Sequence, residues 1–125
     1  EREKYAYPAQ LGALLGVGYE VFNYGVSGCT MLKKGNLSYW NTKEYLQALS
    51  CSPDVVFIDL GGNDSKLINR KYLNEFEADC RSMIRSFRKS AFESTSYIVD
   101  AYCFVRDRYN RDMGYSYCKG YCSYD

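Results

Sequence analysis

The sequence has no histidine. That removes the commonest general base from any hydrolytic or transfer mechanism. It has no apolar run near the roughly 18–20 residues that cross a membrane, so no membrane partner is expected. A formal net charge of +1 predicts no nucleic acid or other polyanion as partner. No signal peptide is visible: Glu1-Arg2-Glu3-Lys4 reads as the middle of a longer sequence, and no compartment follows from it. A dinucleotide fingerprint is missing as well. Gly12, Gly16 and Gly18 do not space as G-x-G-x-x-G, and they follow a helix rather than a strand, which argues against a nucleotide-binding α/β protein.

Cysteine is not scarce. An even count of six allows a disulfide framework in an oxidising compartment. Cys29, Cys51 and Cys80 are spread through apolar contexts and read as small buried residues. Cys103, Cys118 and Cys122 crowd the last quarter. Cys118 and Cys122 outline a hairpin, but structural zinc takes four Cys or His ligands in close pairs. No metal and no other cofactor is expected, and the pair is given no functional role, a disulfide being the alternative.

With 46% hydrophobic residues the chain has material for one core. Pro8 to Leu15 reads as a helix, with Pro8 in its first turn, Leu11, Leu14 and Leu15 on one face, and Gly16 or Gly18 to end it. Tyr19 to Tyr24 reads as a strand, Gly25 to Asn36 as a loop. Asn41 or Thr42 caps a second helix through Leu49. A long helix follows from Lys71 to Lys89, its apolar face formed by Leu73, Phe76, Cys80, Met83, Ile84 and Phe87, its other face by charged residues including Asp79. Strand–helix alternation implies an α/β fold with a parallel sheet. After Lys89 the character changes. Residues 90–125 are rich in Tyr and Cys and poor in aliphatics, and read as a segment apart from 1–89.

The most informative stretch is Asp54 to Lys66, DVVFIDLGGNDSK. Val55 to Ile58 with Leu60 reads as a parallel strand buried on both faces. Asp59 lies in that run, where a lone carboxylate is costly, and Lys33, Lys34 or Lys66 is a possible partner. Gly61 and Gly62 then allow a tight turn, and Asn63, Asp64, Ser65 and Lys66 stand at the strand's carboxyl end, where open α/β sheets place ligands.

Two blocks carry a family resemblance. Gly61-Gly62-Asn63-Asp64-Ser65-Lys66 after a buried strand resembles the third conserved block of the SGNH (GDSL-type) hydrolases. Asn23-Tyr24-Gly25-Val26-Ser27-Gly28 resembles the second. The segment between, with YWNTKEYLQAL, is similar to the carbohydrate-esterase and sialate-O-acetylesterase-like branch. The resemblance spans about residues 7–89. It implies a three-layer α/β/α, flavodoxin-like parallel sheet, here incomplete: the first strand and the carboxyl-terminal part are missing. It also implies ester hydrolysis through a serine acyl-enzyme, with an acylated small molecule or carbohydrate as substrate and carbohydrate O-deacetylation as the expected reaction. The family is often secreted or periplasmic.

On that resemblance, the Gly28 N–H and the Asn63 carboxamide are two donors of an oxyanion hole. Asp64 and Ser65 take structural places at the site, Asp64 through side-chain-to-backbone bonds. Lys66 is a solvated residue by default, and no substrate-binding residue is assigned. Ser27 imitates a nucleophile elbow, but the final glycine is displaced and no histidine activates it, nor Cys29. The family's Gly-Asp-Ser block is absent from residues 1–7, and its D-x-x-H block is absent too. The chain is therefore expected to be an inactive internal fragment. The alternative is a non-catalytic, esterase-derived carbohydrate-binding or interaction module. Read one base later, back-translation of Ser90 to Asp125 permits strings that look like the family's continuation, so out-of-frame translation is one account of the tail.

Overall fold

The computed structural model describes residues 2–90. Four α-helices run through them: α1 (Arg2–Tyr5), α2 (Tyr7–Leu15), α3 (Lys43–Ser50) and α4 (Phe76–Ser90). Short 3-10 segments precede α3 and α4, at Tyr39–Asn41 and Leu67–Glu75.

The α4 helix is the wall of the core. Phe76, Cys80, Met83, Ile84 and Phe87 recur at three- and four-residue spacing and all are buried. Glu77 and Asp79 stand in its first turn and Arg88 and Lys89 in its last, matching the helix dipole. The helix begins later than Lys71. The preceding 3-10 winding repeats every three residues, so Asn69, Tyr72 and Glu75 share the inward side while Leu67 and Ile68 face solvent.

The α3 helix starts at Thr42, whose Oγ1 accepts from the Tyr45 N–H at 3.1 Å. Tyr45 and Ala48 turn inward, and the Tyr45 ring meets Phe87 edge-on at 6.1 Å between centroids. Tyr39 and Trp40 complete the aromatic cluster around Tyr45. The rest of the core comes from a loop: Met31 and Leu32 have no solvent exposure, and Cys29 is buried beside them. A fully buried side chain of that size is worth about 1.5–3 kcal/mol over an exposed one.

The amino-terminal part packs differently. Pro8 lies in the first turn of α2, and Gly16 ends the helix at φ 79, its N–H donating to the Gly12 carbonyl at 3.2 Å. Yet α2 buries no residue, and Leu14 is 85% exposed. The face expected from Leu11, Leu14 and Leu15 is thus largely open: Leu11 is half-buried, Val21 lies beside Gly12, and the Tyr7 ring of the same helix meets Phe57 edge-on at 6.3 Å.

Among the described residues no strand ladder forms. Apart from the local turn in which the Tyr19 N–H donates to the Gly16 carbonyl at 3.3 Å, residues 19–24 and 54–60 exchange no backbone hydrogen bonds with another described segment. The bridge with both partners described joins Thr30 and Ser38 in parallel. Residues 55–60 still alternate: Val56, Ile58 and Leu60 pack on the core, while Val55, Phe57 and Asp59 face out. Burial on both faces is not what this run has; one face is open, with Phe57 54% exposed. Asp59 accordingly stays in water and needs no lysine partner. The Tyr- and Cys-rich segment, with Cys103, Cys118 and Cys122, lies outside the described residues.

Candidate active site

Two loops meet at the carboxyl ends of the segments read as strands. The first begins with Asn23, whose Oδ1 accepts from the Gly25 N–H at 2.9 Å and turns the chain. Gly28 follows at φ 86, a conformation that favours glycine. The Leu37 side chain closes over it, 3.4 Å from the place of a β-carbon. The Gly28 N–H donates to no group among the described residues.

Beyond Gly28 the backbone is held by buried carboxylates. The Met31 and Leu32 N–H groups donate to the two oxygens of Asp64, at 3.0 and 2.7 Å. The Lys33 N–H donates to Asp79 at 2.8 Å. The Lys33 ammonium lies over the Trp40 ring, 4.4 Å from its centroid, and 3.8 Å from Asp79. The Trp40 indole N–H donates to the Met31 carbonyl at 2.8 Å. At Gly35 a β-carbon would collide with the Thr30 side chain, so the turn needs glycine there.

The second loop runs through the GGNDSK motif. Gly61, at φ 120, lets its carbonyl accept the Asp64 N–H at 3.1 Å, which points the Asp64 side chain across to the first loop. Asp64 has no solvent exposure. Burial pushes its carboxyl above the ordinary carboxylate range, the Leu32 and Met31 N–H groups oppose that, and Asp79 adds to it. The Asn63 carboxamide donates to the Cys29 carbonyl at 3.1 Å. The residue before that carbonyl is Gly28, so Gly28 and Asn63, 35 positions apart in sequence, are brought to one place. A carboxamide nitrogen carries two hydrogens, so one donor of Asn63 remains beyond the bond to Cys29. The Ser65 hydroxyl donates to the Gly62 carbonyl at 2.9 Å, at the exposed edge of the turn. Lys66 and Ser27 are both exposed.

Cys29 offers no nucleophile: burial, with Glu44, pushes its thiol further up. Cys29 and Cys51 are free thiols, Cys29 buried and Cys51 half-buried, and Cys80 is buried in the core. Among the described residues no three His, Cys, Asp or Glu side chains gather as a metal cluster.

Three contributors were not singled out from the sequence. Asp79 stands on the charged face of α4, yet it is buried and holds Lys33. Asn36 and Asn69 pair across the two loops. The one available signal was Asn69 itself, a polar residue flanked by Leu67, Ile68 and the apolar positions of the helix to come.

Comparison with known proteins gives one informative likeness. Over 87 residues, 70% of the chain, the sequence is 52% identical to an acetylxylan esterase of Xylanibacter ruminicola. Those residues are 18% of that protein, so the chain spans about a fifth of its relative's length. The likeness supports an esterase family for the matched stretch. No protein-family profile matches the chain. No solved structure matches it.

Proposed function

We propose that this chain carries the oxyanion-binding part of an SGNH-type serine esterase that removes acyl groups, acetyl foremost, from carbohydrate. The observation that carries the reading is the Asn63 carboxamide set 3.1 Å from the carbonyl next to Gly28. In acyl transfer the carbonyl oxygen of the substrate gains charge as the tetrahedral intermediate forms. Donors already fixed toward that position stabilise it without reorganising. Gly28 contributes a backbone N–H from a positive-φ glycine, and Asn63 contributes its remaining amide hydrogen. Similarity to an acetylxylan esterase supports both the ester chemistry and a carbohydrate substrate.

Nucleophile, orienting acid and base are not supplied by these residues. The sequence holds no histidine, and Ser27 has no base to activate it. Donors without a nucleophile cannot run the reaction, so the chain alone is inactive on this reading. On this reading the sheet is an incomplete flavodoxin-like one, in which 19–24 and 54–60 would each border the strand that bears the nucleophile.

The test is an enzyme in which a Gly-Asp-Ser block and a D-x-x-H block are joined to this segment. There Asn63→Ala should lower kcat by about 10²–10³-fold on p-nitrophenyl acetate, the usual loss for one oxyanion donor, with a smaller change in KM. A loss below threefold removes Asn63 from the oxyanion site. The unextended chain should show no turnover above an inert-protein control, and saturable turnover abolished by Ser27→Ala would refute the assignment.

A further inference from the structure

We infer that Asn69 is the positioning residue of this site, the side chain that sets Asn63 against the Gly28 loop. Its catalytic meaning rests on the oxyanion reading above; its geometry does not. Asn69 is 1% exposed. A neutral polar group persists at such depth when its hydrogen bonds are made, and Asn69 makes three. Its Nδ2 donates one hydrogen to the Asn63 carbonyl and the other to Asn36 Oδ1, both at 2.9 Å. Its Oδ1 accepts from the Asn36 N–H, also at 2.9 Å.

The partners belong to the two loops that carry the candidate donors. Asn36 precedes Leu37, which packs against Gly28 and whose carbonyl accepts the Thr30 N–H at 2.8 Å. Asn63 reaches back to Cys29. The contacts therefore close a ring: Asn69 to Asn63 to Cys29 on one side, Asn69 to Asn36 and Leu37 to Gly28 on the other. Asp64 holds Met31 and Leu32, and so fixes the first loop further along. Among the described residues, Asn69 alone grips the Asn63 backbone and the Gly28 side of that loop with one rigid group.

An aspartate has the same shape and no donor. Asn69→Asp therefore removes both donations and turns oxygen toward oxygen. In the ¹⁵N-labelled chain, Asn69→Asp should speed hydrogen exchange of the Asn63 side-chain amide at least tenfold. The Met31 and Leu32 amides, held by Asp64, should change less than twofold. Unchanged Asn63 exchange, or an equal rise at all three, overturns the inference. If Asn69→Asp does not fold, Asn36→Ala at an exposed residue removes one acceptor, and an unchanged Asn63 amide there overturns it equally.

In the extended enzyme, Asn69→Asp should lower kcat at least tenfold with KM within threefold, and should add little in an Asn63→Ala background. Full additivity overturns the positioning role. Should Asn63→Ala leave kcat unchanged while the exchange result holds, the oxyanion reading fails and the ring remains.

Discussion

Loop 28–36 and the segments at 16–24 and 54–57 are alike in their irregular backbone, yet one is held and the others are open. In the loop, side chains do what a sheet would otherwise do. Asp64, Asp79, Asn69 and Trp40 each bond a backbone group of residues 31–36 directly, three of them across long sequence separations. Met31 and Leu32 can then be buried, since their polar backbone is satisfied. In the open region the apolar residues are present, but among the described residues no side chain holds the backbone of 19–22 or 54–57 in that way. Tyr19, Phe22, Val55 and Phe57 stay exposed, as do Leu14 and Leu15 on the neighbouring helix. A few buried polar side chains can hold a loop in place of a ladder; hydrophobic residues without a ladder do not hold a strand.

The largest expected effect breaks the held region. Asp64→Ala removes the acceptor of two buried N–H groups. Hydrogen bonds to a charged group are worth about 1.5–3 kcal/mol each, and buried donors left unpaired cost more. The variant should lose about 3–5 kcal/mol, a large part of the roughly 5–15 kcal/mol that holds a typical domain. Urea unfolding measures it, and exchange at Met31 and Leu32 should rise first. A loss under about 1 kcal/mol, the worth of one ordinary hydrogen bond, would mean that the carboxylate does not hold this loop.

The contrast also explains what was legible beforehand. Thr42 as a cap, Pro8 and Gly16 as helix punctuation, and the stripe from Phe76 to Phe87 are local rules, readable from a few neighbours. Gly28 and Asn63 could be named from their motifs, though their meeting through Cys29 could not. Asp79 and Asn69 were hidden because their role is set by residues 46 and 33 positions away. On a helix face Asp79 looks like any solvated acid. The runs at 19–24 and 54–60 read as strands because period and composition describe a face, and say nothing of whether a neighbour is there to pair with it.

A middle-sized effect sits where the two regions touch. The Tyr39 hydroxyl donates to the Tyr24 carbonyl at 2.8 Å, joining the aromatic core to the end of the open segment. Burial, then Cys29, Glu44 and Tyr45, push the Tyr39 phenol up to about 12, from 10.0 for a free phenol. A raised folded value means that the folded chain keeps its proton longer than the unfolded one. The stabilisation is full below pH 10 and is lost as pH rises through 12. Between about pH 8 and pH 11.5 the wild-type chain should lose roughly 1–3 kcal/mol through this group. Tyr39→Phe should be less stable at about pH 8 by about 0.5–1.5 kcal/mol, for the lost bond, and should show a shallower fall. Equal pH slopes in the two proteins would show that Tyr39 is not the titrating group.

The smallest effect is expected in the open region, and it sharpens the contrast most. Leu14→Ser exchanges a largely exposed apolar side chain for a polar one, and Val55→Thr does so on the outer face of residues 55–60. Exposed substitutions away from caps and packed contacts fall within about ±0.5 kcal/mol. Both urea midpoints should stay close to wild type, while the variants should aggregate less, since an open edge with apolar neighbours invites pairing between copies. The same Val55→Thr change becomes a probe once the proposed neighbouring strand is joined to the chain. Where the completed sheet has a layer packed on that face, the introduced hydroxyl would be buried without a partner and should then cost about 1–3 kcal/mol. A cost that rises from near zero to that range in the completed domain would place Val55 on a covered face. A cost above about 1 kcal/mol in the unextended chain, beyond the range of exposed sites, would show that the face is already covered. The two regions would then no longer differ in the way their exposure implies.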